Sequence, residues 1–145
     1  MSNWIKIFMA VNAFVFQKTK GRLGNRMGKQ SVLLLHTLGR KSGKTYTTPL
    51  SYYRDSNSYL LVASNWGREN HPNWFHNLLQ HSLTTIQVGA TTIPVEARQA
   101  EGEEYNRLWE VVTSQNEQYL KYQKGLARQI PIMILTPTTS NFGEG

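Results

Sequence analysis

The sequence predicts one small domain built mainly of β-strands, a mostly antiparallel barrel or half-barrel with helices at its periphery (α+β). Three observations carry that expectation. The chain has 145 residues, a length that suits a single domain able to bury a proper core. Six short runs with strand character are joined largely by tight turns. No βαβ unit carries a G-x-G-x-x-G turn, which argues against a doubly wound parallel sheet. Apolar residues make up 39% of the chain, with Trp 4, Tyr 7 and Phe 5, a composition that excludes wholesale disorder.

Each element can be justified in order. Trp4, Phe8, Val11 and Val15 repeat at three and four, so residues 1–20 read as an amphipathic helix with Ser2 or Asn3 as a cap. Its most apolar stretch, Ile7–Phe16, is far shorter than the roughly 20 residues needed to span a bilayer, and it lacks the flanks of a signal peptide. The basic run KTKGRLGNRMGK follows. An apolar helix and a basic patch suit an anionic lipid surface; they suit better a helix packed on a sheet with a solvated linker behind it. SVLLLHT (31–37) is a strand that ends in the glycine-bracketed turn LGRKSGK. TYTTPLSYY (45–53) is a second strand, in which Pro49 removes a ladder donor and points to an edge or a bulge. DSNS turns the chain into a third strand, YLLVAS (59–64).

After the polar loop NWGRENH, Pro72 is placed as the first residue of a helix with Trp74, Phe75, Leu78 and Leu79 on one stripe. Residues 84–88 and 91–98 flank Gly89-Ala90 as a hairpin. Glu101, Glu103 and Glu104 crowd the start of the next helix, where the dipole favours them, and Tyr105, Leu108, Trp109 and Val112 give it an apolar face. A short helix at 118–124 and a last strand at 130–135 complete the series. The tail 138–145 reads as frayed and flexible.

Charge is unevenly spread. Sixteen Lys+Arg stand against nine Asp+Glu, a net +7, yet no acidic residue precedes Asp55. Residues 1–54 therefore carry a strongly basic balance, which points to an anionic ligand, membrane face or nucleic acid. The absence of Cys excludes disulfides, a thiolate nucleophile and Cys-ligated metals.

Three segments are able to carry chemistry. In LGRKSGK, Arg40, Lys41, Ser42 and Lys44 supply donors on a tight turn, suited to phosphate or carboxylate; the alternative is an ordinary charged hairpin turn. It is not a P-loop, because Gly39 and Gly43 are too close. ASNWGRENHPNWFHN leads into a helix N-terminus of the kind that attracts anions. His71 and His76 lie five apart, off a single helix face, so no metal site is expected. Tyr119 and Tyr122, three apart, are neighbours on one helix face. No G-x-S-x-G supports serine hydrolysis, and no nucleic-acid recognition motif accompanies the basic charge, so no nucleic-acid partner is expected.

The combination LLLHTLGRKSGKTYTTPL, YLLVASNWGRENHPNWFHNL, TTIQVG, EGEEYNRLWEVV and YLKYQKGLARQIPIMIL resembles the deazaflavin-dependent nitroreductase family, whose members use reduced coenzyme F420. The resemblance runs from about Gly21 to about Pro137. It rests on the T-x-G-R-K-[ST]-G turn, the P-L strand, the V-A-S loop, the H-P-x-W-[FY]-x-N-L helix start and the R-x-I-P final strand. It implies a split β-barrel of the FMN-binding, pyridoxamine-phosphate-oxidase-like type over residues 21–137. By the same resemblance, Arg40, Lys41 and Lys44 meet the anionic tail of F420. Thr48, Pro49, Ala63, Ser64, Asn65 and Asn77 line its ring, with FMN as the alternative cofactor.

Ser51, Tyr119 and Tyr122 become candidates for hydrogen-bond or proton donation to the acceptor, a quinone or another flat nitro- or enone-type electrophile. Three departures from the family pattern stand out: Ser51 replaces a tyrosine after P-L, Asn116 replaces a late-helix tyrosine, and Asn65-Trp66-Gly67 replaces K-G-G. The implied protein is a two-electron reductase, the alternative being a non-enzymatic F420 carrier. A cytoplasmic location is expected, with peripheral contact at an anionic membrane face and pairing into homodimers as further expectations.

Overall fold

A computed structural model describes residues 31–138. The expected helix over residues 1–20, the basic run behind it and the tail beyond Thr138 lie outside the described residues. Six strands, all paired antiparallel, close into a barrel. They are β1 (Ser31–Leu38), β2 (Thr45–Asp55), β3 (Ser58–Val62), β4 (Leu83–Val88), β5 (Thr91–Gln99) and β6 (Ile132–Pro137), in the spatial order β1-β2-β3-β6-β5-β4. Among the described residues three α-helices accompany them: α1 (Asn73–Gln80), α2 (Gly102–Gln115) and α3 (Gln118–Lys124). The sheet closes through a narrow seam, Leu34–Gln87 and Leu35–Ile86, between β1 and β4. A closed barrel thus replaces the open half-barrel that the sequence left as an alternative.

Strand alternation divides the apolar residues into two cores. Leu33, Leu35, Tyr59, Leu61, Ile86, Val95, Met133 and Leu135 face one another, joined by Trp74, Phe75 and Leu78 of α1. On the other face of β3 and β6, Leu60, Val62, Ile132 and Ile134 pack under Tyr105, Leu108 and Val112 of α2 and Tyr119 of α3. Both faces of β3 and β6 are therefore buried, and their sequences, YLLV and IMIL, are continuously apolar rather than alternating. The Tyr105 hydroxyl donates to the Ile130 carbonyl at 2.5 Å, and burial pushes its pKa up to about 12. Two surface ion pairs brace α2: Arg98 with Glu104 at 2.8 Å, and Arg107 with Asp55 of the β2–β3 hairpin at 3.0 Å.

Several boundaries move by a residue or two from the sequence expectation. Pro72 occupies the N-cap of α1, with extended backbone, rather than its first helical position. β3 ends at Val62, so Ala63 and Ser64 belong to the loop beyond it. β6 begins after Pro131, which has no N–H to give a ladder. Pro49 does lie on a strand edge. It pairs with Leu34 of β1, but β2 pairs with β3 only over Tyr53–Asp55, which leaves the other side of residues 45–52 without a strand partner among the described residues.

Candidate active site

Two adjoining cavities lie along that free edge of β2. The first, of about 510 Å³, is lined by the β1–β2 turn (Gly39, Arg40, Lys41, Ser42), by Thr37, Tyr46 and Thr48, and by Asn73, Trp74 and Asn77 of α1. The turn is tight because the Gly39 N–H donates to the Lys44 carbonyl at 2.7 Å and the Ser42 hydroxyl accepts from the Lys44 N–H at 3.1 Å. Glycine at position 39 leaves room for its neighbours: a Cβ there would lie 2.7 Å from the Ser42 Oγ and 2.8 Å from the Tyr46 ring and would force those side chains to move.

Arg40 is held in place by α1. Its backbone N–H and its Nη1 both donate to Asn77 Oδ1, at 3.1 and 2.9 Å, and its Nη2 donates to Asn73 Oδ1 at 3.3 Å. Asn77 is itself buried and donates to Thr37 Oγ1 at 3.4 Å, so its visible task is to aim Arg40. Lys41 lines the cavity and is exposed. Lys44 is also exposed, but it lines neither cavity.

The second cavity, of about 640 Å³, is lined by Pro49, Leu50 and Ser51 of β2, by Ser64, Asn65 and Trp66 of the loop after β3, and by Asn116, Gln118, Tyr119 and Tyr122. Thr48 and Trp74 border both cavities, so the two form one continuous groove, basic at one end and mainly apolar at the other. Neither is lined by an Asp or Glu. Of the ring-side residues named from the sequence, Ala63 stands apart: its side chain is buried in the barrel core, outside both cavities.

The phenols are arranged as a chain. The Tyr119 and Tyr53 hydroxyls are 3.0 Å apart, and Asn116 Nδ2 donates to the Tyr53 oxygen at 3.4 Å. Burial, together with the Tyr53 contact, raises the Tyr119 pKa far above that of a free phenol, so it stays protonated. Tyr122 packs on Gly67, whose φ is +82°; a Cβ at that position would lie 2.7 Å from the Tyr122 ring.

Arg128 is the residue that sequence reasoning passed over. Its guanidinium donates to the carbonyls of Ala63 (3.2 Å), Ser64 (2.8 Å) and Arg68 (2.9 Å) and to His71 Nδ1 (3.0 Å). One side chain thereby fastens the whole cavity loop. Its only mark in the sequence is the arginine of R-x-I-P. Burial, with the nearby charges of Arg128 and His76, lowers the His71 pKa, and the neutral ring accepts the Arg128 hydrogen bond. Among the described residues no group of three or more His, Asp or Glu is placed to hold a metal. No helix there is long and apolar enough to cross a membrane.

The family model described as F420H2-dependent quinone reductase matches residues 8–137. An F420H2-dependent quinone reductase of Mycobacterium tuberculosis is 37% identical over 145 residues, covering 94% of this chain and 97% of its own. Two solved structures share 33% identity at a TM-score of 0.67 over 72% of this chain. One is described as an F420H2-dependent reductase, covered over 93% of its length, and the other as a domain-swapped dimer, covered over 79%. A pyridoxamine 5′-phosphate oxidase-type protein from Listeria innocua, at 11% identity and a TM-score of 0.54 over 78% of this chain and 88% of its own, shares the fold alone.

Proposed function

The chain belongs to the F420H2-dependent quinone reductase family, and from that premise we propose how its residues divide the work of reducing a quinone-type acceptor at the expense of F420H2. The observation that carries the reading is the continuous groove. A basic end suits an anionic cofactor tail, and a neighbouring apolar cavity of about 640 Å³, bordered by a proline edge, suits a flat ring. These residues fit reduced F420, which when bound supplies the hydride.

The protein's share is binding, orientation and proton supply. Arg40, pre-aimed by Asn73 and Asn77, presents a planar fork to phosphate or carboxylate, and Lys41 adds a mobile charge. Lys44 acts through long-range charge only, since it stands outside the cavity. Thr48, Pro49, Ser64 and Asn65 border the ring position, while Ala63 acts by shaping the loop. Ser51, Tyr119 and Tyr122 line the same cavity and are assigned to the acceptor. Either hydroxyl of the Tyr53–Tyr119 pair is able to donate to the other, and Asn116 Nδ2 donates to the Tyr53 oxygen. With Tyr53 as the donor, the Tyr119 hydrogen is free to meet the acceptor oxygen as negative charge develops on it.

Titration with F420 and with FMN, followed by absorbance and fluorescence, tests the cofactor assignment. Saturable F420 binding at concentrations where FMN does not bind is the expected result; the reverse preference would overturn it. Two interactions belong to the same reading. Pairing of two copies is supported by the relative described as a domain-swapped dimer. Peripheral contact with anionic lipid is supported by the Trp4, Phe8, Val11, Val15 stripe and the basic run after it. A monomeric mass in solution would remove the first, and failure of anionic vesicles to retain the protein at low salt would remove the second.

A further inference from the structure

Trp66 adopts a backbone conformation that tryptophan rarely enters. Asn65, Trp66 and Gly67 follow one another with φ of 51°, 61° and 82°. Glycine enters that region freely, whereas a bulky residue does so only where its surroundings over-determine it. The surroundings here do so. The Gly67 N–H donates to the Ser64 carbonyl at 2.9 Å, the Arg68 N–H to the Asn65 carbonyl at 3.0 Å, and Asn65 Nδ2 to the Asn70 carbonyl at 2.8 Å. Arg128 fastens the carbonyls of Ser64 and Arg68 besides. Yet the Trp66 residue is 77% exposed, so neither local preference nor core packing accounts for an indole at this position. What the position offers is placement, because Trp66 lines the larger cavity together with Tyr119 and Tyr122.

We propose that Trp66 is a specificity-determining residue of this chain, an indole face on which the planar ring of the electron acceptor stacks as it enters the larger cavity. The inference rests on the quinone reductase reading and narrows its substrate class to flat, fused-ring quinones. The fastened left-handed backbone holds the indole in position before the acceptor arrives, so less freedom is lost on binding. Tyr122, fixed against Gly67, gives a second ring on the same cavity wall. Offset stacking between rings then favours a wide planar acceptor over a small or bent one.

The test uses the full chain with Trp66→Phe, Trp66→Leu and Trp66→Gly. Dissociation constants for menadione are read from indole quenching without cofactor; Trp74, which borders both cavities, remains as reporter in every variant. F420 dissociation constants, the KM for menadione and thermal midpoints are measured beside them. The Leu and Gly variants should weaken menadione about three- to tenfold in dissociation constant and KM, and Phe by less than about twofold. F420 affinity should stay within about twofold of wild type, and the glycine variant, freed of the left-handed strain, should melt no lower than wild type. Unchanged menadione affinity in the Leu variant, or an equal loss of F420 affinity, overturns the proposal. If F420 binds no form of the protein while menadione affinity still depends on residue 66, the cofactor reading fails and the stacking role stands.

Discussion

Arg40 illustrates how a single residue acquires its role from neighbours distant in sequence. An arginine on a glycine-bracketed turn is ordinary; here four side-chain and backbone bonds to Asn77 and Asn73 orient it toward the groove. Arg40→Ala should weaken F420 about ten- to a hundredfold, the range for losing one or two hydrogen bonds to a charged group, while turnover at saturating F420 changes by no more than about twofold. Unchanged affinity in a cofactor titration would remove Arg40 from the tail site. The turn and its charges are legible from residues 38–44 alone. The pinning by Asn77 is not, because it joins positions 37 apart in the chain. The same limit hid Arg128, whose four acceptors lie 57 to 65 residues upstream. Ala63 shows the converse case: it stands in a motif that borders the site, while its own methyl is fully buried in the barrel core.

At the scale of elements, the loop between β3 and α1 buries none of residues 65–67 and is tied down by hydrogen bonds from Arg128 and Asn65. Arg128→Met should cost about 2 kcal/mol of stability. Hydrogen exchange should quicken across residues 63–71 and leave the barrel strands protected. Uniform exchange across the chain, or no change in the loop, would contradict that assignment. Strand and helix types were readable here because each follows its period: β2 carries Thr and Tyr, β6 is apolar on both sides, and α2 shows a clean stripe. Boundaries were less so. Ala63 and Ser64 are as compatible with a strand as Val62; the Ala63 N–H still donates to the Pro131 carbonyl in register with β6, and the ladder stops there because Pro131 has no N–H to return the bond. The left-handed turn at 65–67 has two local signals, Asn65 and Gly67; the tryptophan between them points the other way.

For the molecule as a whole, three histidines set a common pH dependence. Burial lowers the pKa of His36, of His71 (with the Arg128 and His76 charges) and of His76 (with the Arg40 charge). The unfolded chain takes up these protons near pH 6.5 and the folded chain resists them. Stability is therefore complete above about pH 6.5 and declines as pH falls through the depressed folded values. Asp55 and Glu104, lowered by their arginine partners, add a loss only below about pH 4. Thermal midpoints should fall between pH 7.5 and 5.5, and less steeply in His71→Gln, whose amide oxygen still accepts from Arg128; a flat profile would contradict this. The six-strand composition and the class of fold followed from the order of apolar runs. Closure through the short β1–β4 seam did not, since two residue pairs leave no pattern in a sequence. What unites the scales is one claim, that the groove along the free edge of β2 brings F420H2 and a quinone together for hydride transfer. Its most direct test is to mix the protein with F420H2 and menadione and follow the return of the oxidised deazaflavin spectrum. Turnover should scale with protein, saturate in both ligands and yield one quinol for each cofactor oxidised; stoichiometric binding of F420H2 with no oxidation above the protein-free rate would make the chain a carrier and contradict hydride transfer in the groove.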